Sequence, residues 1–249
     1  SSYDIKTIKT QLYGTGYINQ RVVWNLEDDG TLYISLAEYP ITANAYGDMY
    51  QDNLILRVLL PKKDYDMLQF SGHRVQLVLK QCTAKQLIAK IRNGSMVVRN
   101  VSAQKASFYS NTSNLDLQRN KIHYLTIDNE EGNTIVSDNE LQYWKYYSLN
   151  GNLNLWAKTI KGIWELNSRW GDIHVGIRKQ NHNLFMSLHS EETDIVVTSR
   201  KKKWQKRIAE TLDKDTYELL EGGGKNMLLV TTKSGKIILN DEKREMKDE

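Results

Sequence analysis

Cysteine and proline are almost absent from this chain of 249 residues. Cys82 is the single cysteine, so no internal disulfide framework can hold the fold together. The only prolines, Pro40 and Pro61, exclude a proline-rich linker. No apolar run approaches the roughly 20 residues of a membrane-spanning helix. The stability of this chain must therefore come from packing and hydrogen bonding.

Sequence signs of catalysis and of metal binding are also missing. There is no Gly-rich phosphate loop and no nucleophile elbow. The five histidines form no His-x-x-x-His pair, and Cys82 has no zinc-ligand spacing to a second ligand. The formal net charge of +4, with 26% charged residues, gives no strong attraction to nucleic acid. We expect no cofactor, no metal ion and no nucleic-acid partner.

A turn followed by a short alternating strand returns along the chain. In steps of 19, 19, 19, 20 and 22 residues, the turn position recurs at Gly94, Ser113, Gly132, Gly151, Gly171 and Thr193. A period in this range is typical of stacked supersecondary units. Coils of about 20 residues, each with two short strands, can stack at roughly 4.8 Å per coil. The predicted fold is all-β, a right-handed parallel β-helix or solenoid.

Alternation within the strands predicts which side chains face the interior. The predicted inward column is Ile135, Leu153, Leu155, Ile173, Val175, Ile195, Val197, Ile237 and Leu239. A single coil cannot bury this apolar face alone. We therefore expect each coil to be stabilised by its neighbours.

The two ends of the chain differ from the repeats. Residues 1–70 are predicted to form antiparallel strands continuous with the solenoid of residues 71–240. Within them, Asp29-Gly30 lies between two alternating segments and favours a hairpin turn. The tail, residues 241–249, is nearly all charged and is expected to fray.

The period breaks once, between residues 198 and 225. Three apolar residues spaced by four fall on one helical stripe: Trp204, Ile208 and Leu212. We predict a short helical or loop excursion near residues 200–221. Its expected role is to cover the exposed last coil against edge pairing. A closing strand pair is expected after it, within residues 226–239.

The chain resembles a bacterial group, the adhesins of the head GIN domain family and related adhesin-like solenoids. The likeness is carried by the serial turn-strand units and by residues 28–34, 56–61, 68–72 and 222–239. Several turns are Asn-Gly, Glu-Gly or Trp-Gly where the family often uses Ser-Gly, and the excursion is unusual for it. The resemblance implies a right-handed β-helix exported to the envelope or surface of a bacterium. It implies no known catalytic residues.

Aromatic residues are concentrated in three consecutive coils. The candidate ligand-binding residues are Tyr143, Trp144, Tyr146, Tyr147, Trp156, Trp164 and Trp170. An exposed stack of flat rings suits a sugar face or a protein partner. Because side chains alternate, Tyr143 shares one face of its strand with Lys145, and Trp144 shares the other with Tyr146. Half of these rings must therefore point inward or cover an end, so core packing and a binding platform both remain open.

Polar residues at the turns form a second candidate. Equivalent places in successive coils hold Asn133, Asn152, Asp172 and Asp194. Two carboxylates on adjacent coils would lie about 5 Å apart, the separation that retaining glycosidases use. Asn and Asp at a recurring turn also accept left-handed geometry and bond the local backbone. We favour this structural role for them.

Two functions follow as hypotheses from these patterns. The first is a non-catalytic module of the cell envelope or surface, adhesin-like or structural, with a glycan or a surface protein as possible partner. The alternative is a polysaccharide-processing enzyme built on a β-helix. The sequence begins at Ser1 without a methionine, so we expect a mature or trimmed form that carries no signal peptide. The expected extracytoplasmic location therefore rests on the resemblance.

Overall fold

Every regular element in the described part of the chain is a β-strand. The computed structural model describes residues 8–13, 20–28, 31–38, 55–178, 183–193, 195–198, 216–221 and 224–240. The chain divides into two compact units, Ser1–Lys62 and Lys63–Glu249. The predicted all-β class is confirmed.

The first unit contains antiparallel strand pairs. β1 (Lys9–Tyr13) pairs with β4 (Ile55–Leu59), and β2 (Gln20–Leu26) pairs with β3 (Leu32–Glu38). β2 and β3 form the hairpin predicted from the Asp-Gly dipeptide. At its turn, the backbone N–H of Glu27 donates to the Thr31 carbonyl at 2.9 Å.

The second unit is a β-solenoid with two faces. Its strands are β5 (Asp64–Gly72), β6 (Val75–Lys80), β7 (Thr83–Arg99), β8 (Ser102–Gln118), β9 (Lys121–Glu131), β10 (Thr134–Ser137), β11 (Glu140–Asn150), β12 (Leu153–Ala157), β13 (Ile163–Ser168), β14 (Ile173–Ile177), β15 (Leu184–Ser190), β16 (Ile195–Thr198), β17 (Thr216–Glu221), β18 (Asn226–Thr232) and β19 (Ile237–Asn240). The long strands β7 and β8 run through both faces. The first face has the order β5, β7, β8, β9, β11, β13, β18, β15, β17, and the second face has the order β6, β7, β8, β10, β12, β14, β19, β16.

The predicted repeat is present in the strand register. Thr83 pairs with Ser102, Ser102 with Lys121, and Lys121 with Glu140, each 19 residues further along the chain. Neighbouring strands in this solenoid are parallel, apart from the β15–β17 pair. The coils begin earlier than residue 71, the boundary predicted from the sequence, because β5 pairs with β7 from Asp64 onwards. Right-handed winding remains the expectation for parallel strands joined by crossovers.

Buried asparagines line the corner where the chain passes from the second face to the first. The turn residues there are left-handed and one coil apart: Gln81, Asn100, Arg119 and Asp138. Asn120 and Asn139, which follow two of these turns, are 1% and 9% exposed. The Asn120 amide oxygen accepts the Val101 N–H at 2.9 Å, and its NH₂ group donates to the Val98 carbonyl at 3.0 Å. This ladder was not predicted from the sequence.

Replacing Asn120 by alanine is expected to cost about 1–3 kcal/mol of folding free energy, because buried backbone groups of Val98 and Val101 lose their partner. Urea unfolding measures the loss. Asn111→Ala is the matched control, because the Asn111 side chain makes an exposed hydrogen bond to Glu130. We expect it to change stability by a few tenths of a kcal/mol. Equal losses in both variants would contradict the structural role of the ladder.

Glycines line the opposite corner, where the chain passes from the first face to the second. Gly132, Gly151, Gly171 and Gly235 are stacked in consecutive coils, with Gly235 following Gly171. A Cβ on Gly151 would overlap the carbonyl oxygen of Gly132, and a Cβ on Gly171 would overlap that of Gly151. Glycine is used here because the backbones of adjacent coils approach too closely for a side chain.

Apolar side chains fill the space between the two faces. Of the predicted inward column, Leu153, Leu155, Ile173, Val175, Ile237 and Leu239 are at most 1% exposed. Ile195 and Val197 are partly buried against the same core. The prediction for Ile135 was wrong: it is 36% exposed, while Thr134 and Val136 on either side are buried. The register of β10 therefore places Thr134 in line with Leu115 and Leu153.

The order of the coils departs from the order of the sequence. The nearly constant spacing of the turns predicted that the coil of Thr193 follows the coil of Gly171 in the stack. Instead β18 and β19 lie between the coil of β13 and β14 and the coil of β15 and β16. The strand pair expected to close the solenoid is thus inside it. The terminal coil on this side is residues 184–198.

The predicted excursion near residues 200–221 contains a strand rather than only a helix or loop. β17 pairs antiparallel with β15 and closes the first face, with Tyr217 2% exposed against the core. This part of the segment does cover an end of the stack, as expected. The stripe of Trp204, Ile208 and Leu212, and the tail 241–249, lie outside the described residues.

Candidate functional site

Three of the candidate aromatic residues belong to the core. Trp144, Tyr146 and Trp164 are each 1% exposed. The Trp144 and Trp164 rings meet edge to face with centroids 5.5 Å apart, and Tyr146 meets Trp144 at 6.2 Å. Burial raises the pKa of the Tyr146 hydroxyl, and the nearby hydroxyls of Thr134 and Ser148 act in the opposite direction. These rings cannot reach a ligand, so their assignment as binding residues was wrong.

Trp156 also serves packing. Its ring lies over Gly176 in the next coil, where a Cβ would overlap the ring atoms. The Asp138–Arg178 ion pair, with Oδ1 and Nη1 2.6 Å apart, connects coils on either side of this tryptophan. The half-buried Trp156 is therefore held against the glycine rather than presented to solvent. An aromatic ring that packs over a strand glycine in this way compensates for the side chain that the glycine lacks.

Tyr143 belongs to an outward aromatic cluster on the first face. Its ring stacks on Tyr124 of the preceding coil, with centroids 4.8 Å apart and planes 11° apart. His123 meets the two tyrosines edge-on, at 4.3 Å from Tyr124 and 5.5 Å from Tyr143. Near-parallel rings with centroids 4.8 Å apart are within the range of offset-stacked aromatic pairs. We call Tyr124 and Tyr143 the stacked pair.

Tyr147 belongs to a second outward column, which we call the tyrosine row. It contains Tyr109, Asp128 and Tyr147, in register on β8, β9 and β11. Tyr109 is 38% and Tyr147 47% exposed. Partial burial, with a smaller contribution from the charge of Glu130, raises the pKa of the Asp128 carboxyl. A carboxylate between two exposed rings can accept hydrogen bonds from hydroxyl groups of a ligand that lies across the strands.

A shallow depression of about 820 Å³ adjoins one end of the tyrosine row. Tyr109 and Lys90 line it, together with Ser71, Arg92 and Asn111. The Lys90 ammonium lies 5.7 Å from the centre of the Tyr109 ring. The end of the row therefore offers hydrogen-bond donors as well as an aromatic surface.

Trp170 is exposed but stands apart from both columns. It lies in the turn after β13 and is 47% exposed. The Arg169 guanidinium is 4.4 Å from its ring centre, a cation–π contact that covers one side of the indole. Trp170 remains an accessible aromatic residue at the corner, without the flat neighbours of the first face.

The polar turn residues are used by the backbone. Asn133, Asn152 and Asp172 each accept the N–H of the equivalent residue in the next coil, at 3.2, 2.9 and 2.8 Å. This supports the structural role that we favoured. The neighbour of Asp172 is Lys236 rather than residue 194, because β19 lies next to β14. Asp194 itself lies outside the described residues.

Four residues of this face were not predicted from the sequence: His123, Tyr124, Tyr109 and Asp128. They precede the coils from residue 143 onwards, where aromatic residues are most dense. The signal that would have found these residues is the repeat itself, because each lies one or two coils before Tyr143 or Tyr147.

The described ranges contain neither a metal-ligand cluster nor a membrane-spanning helix. No group of three or more His, Cys, Asp or Glu side chains in that part of the chain could hold a metal ion. Within the same residues, no helix has the length and apolar character needed to cross a membrane.

Comparison with known proteins gives one result. The family model described as Toastrack DUF4097 matches residues 6–240. No curated protein and no solved structure matches the chain. The match agrees with the β-solenoid, and the resemblance to head GIN adhesins is supported only at the level of that fold.

Proposed function

The chain belongs to the Toastrack DUF4097 family, and from the exposed tyrosines of its solenoid we propose that it is a non-catalytic binding module whose ligand is a carbohydrate. The observation that carries the proposal is the stacked pair beside the tyrosine row. Tyr124 and Tyr147 are both about half exposed, on adjacent strands of one face. The first face thus offers several rings to one ligand.

The chemistry of this face suits a sugar chain. Aromatic rings pack against the apolar faces of sugar rings, while their hydroxyls remain free to form hydrogen bonds. The carboxylate of Asp128 and the amide of Asn167, which neighbour Tyr147 in register, add polar partners. Parallel strands repeat these groups at roughly 4.8 Å, so a repetitive ligand can make the same contact on successive coils.

A catalytic role is not part of the proposal. The enzyme hypothesis needs two carboxylates in adjacent coils, and the coil that carries Lys236 follows Asp172. The Asp172 carboxylate already accepts a backbone N–H. A location at the bacterial cell envelope is part of the proposal, and it rests on the resemblance to surface adhesins.

The proposal is tested by screening the purified chain on a glycan array and titrating the best glycan by calorimetry. The Tyr124→Ser/Tyr143→Ser double variant should bind at least about tenfold more weakly, a loss of about 1.4 kcal/mol. Ile135→Ser is the matched control, because Ile135 is an exposed apolar residue of the second face. It should bind as tightly as the unaltered chain.

Two results would contradict the proposal. If no glycan on the array binds, the carbohydrate assignment fails, and a protein partner becomes the better hypothesis for this face. If a glycan binds the double variant as tightly as the unaltered chain, the stacked pair is not part of the site.

A further inference from the structure

The coil of residues 226–240 occupies a slot between two coils that precede it in the sequence. On the first face β18 lies between β13 and β15, and on the second face β19 lies between β14 and β16. The two coils that form the walls of the slot therefore both precede, in the sequence, the coil that lies between them. We call residues 226–240 the inserted coil.

Backbone hydrogen bonds connect the inserted coil to both walls. On one side, the Met227 N–H donates to the Gly162 carbonyl at 2.7 Å, and the Lys236 carbonyl accepts the Ile173 N–H at 2.8 Å. On the other side, the Asn226 N–H donates to the Asn183 carbonyl at 2.9 Å. An empty slot would leave two parallel strand edges unpaired on each face, which are templates for strand addition.

The inserted coil also packs apolar side chains into the interior of the solenoid. Leu228, Val230, Ile237 and Leu239 are at most 1% exposed. Leu228 is in register with Trp164 on one side and Met186 on the other. The slot therefore recognises a short strand pair with apolar residues at alternate positions.

The connection to the inserted coil is four residues long and rich in glycine. β17 ends at Glu221, in register with Leu184 on one side of β15, and β18 begins at Asn226, in register with Leu184 on the other side. The linking sequence is Gly222-Gly-Gly-Lys225, and Gly224 has a φ of 62°. Successive glycines accept large changes of backbone direction at little steric cost.

From this arrangement we propose that the slot also accepts the inserted coil of a second copy of the chain, so that two copies can exchange residues 226–240. The same hydrogen bonds and apolar contacts form in either case, because the donor has the same sequence. Exchange of an identical element through a hinge is a route to a dimer that needs no new interface. This property is independent of carbohydrate binding.

Exchange is tested with two full-length chains that each carry one new cysteine, both in a Cys82→Ser background. One chain carries Glu165→Cys and the other Leu229→Cys, at positions paired between β13 and β18 on the outer surface. The chains are mixed, incubated below the melting temperature and then oxidised. Covalent heterodimers are measured on a non-reducing gel.

The matched control replaces the Leu229→Cys chain by a Thr126→Cys chain. Thr126 lies in the same outward column as Glu165, with Lys145 between them. Exchange should give about tenfold more heterodimer than the control. When the inserted coil of one chain binds in the slot of the other, the two thiols lie at neighbouring positions, which raises their effective concentration. A second pair, His174→Cys with Ile238→Cys, tests the other face in the same way.

The proposal is overturned if either pair gives no more heterodimer than the control while its chains melt like the unaltered protein. It is also overturned if the product forms equally fast after the inserted coil has been locked in its own chain. The lock is an intrachain disulfide between His174→Cys and Ile238→Cys, added to both partners of the Glu165/Leu229 experiment.

Discussion

Replacing Trp144 by alanine is expected to remove about 3–5 kcal/mol of folding free energy. Trp144 is 1% exposed and lies in register between Leu125 and Trp164. Its loss leaves a cavity in the middle of the stack, where the neighbouring coils are held by their own ladders and cannot close it. A loss of this size is a large part of the roughly 5–15 kcal/mol that stabilises a typical domain. Urea unfolding followed by circular dichroism measures it.

Tyr147→Ala is the control for the tryptophan variant. Tyr147 lies on the same strand but points outward and is 47% exposed. We expect the loss to stay within about 0.5 kcal/mol, as for most surface substitutions. Similar losses in the two variants would mean that the faces of β11 have been assigned the wrong way round.

Ending the chain after residue 221 is the second change with a large expected effect. It removes the inserted coil, and with it the buried side chains of Leu228, Val230, Ile237 and Leu239. Each fully buried side chain of this type contributes about 1.5–3 kcal/mol. The conformational entropy lost in ordering the coil offsets part of this gain. We therefore expect a net loss on the order of 5 kcal/mol, which corresponds to a fall in Tm of roughly 10 °C or more for a domain of this size.

A chain that ends after residue 240 is the control for the truncation. It keeps the inserted coil and removes only residues 241–249, of which eight are charged. Its Tm should match that of the full chain. If the chain ending at residue 221 also melts like the full chain, the inserted coil does not contribute to the stack as described.

The sequence predicted the coils because their geometry is local. An alternation of side chains with a period of two and a repeat of 19 residues are both visible in the sequence of residues 94–151. The same alternation predicted that Tyr143 and Trp144 point to opposite faces, and the structure has Trp144 inside. The alternation could not indicate which face of β11 is inside, because both faces carry aromatic rings.

Other features depend on contacts that no local pattern reveals. The coils 184–198 and 226–240 have similar apolar alternation, so either could pair with β14. Alternation alone does not reveal which residue of the Thr134–Ile135 pair faces inward, and the strand register buries the threonine.

The order of the coils is tested most directly by disulfide formation in two double variants of the full chain, both with Cys82→Ser. His174 is the register neighbour of Ile238, and Val196 lies one strand further, beyond Ile238. Adjacent strands lie about 4.8 Å apart, so His174→Cys/Val196→Cys would need to span about 9.6 Å, beyond the limit of about 7 Å between Cα atoms. We predict rapid oxidation of His174→Cys/Ile238→Cys and none of His174→Cys/Val196→Cys. The reverse result would show that the coils stack in sequence order and would contradict the position of the inserted coil.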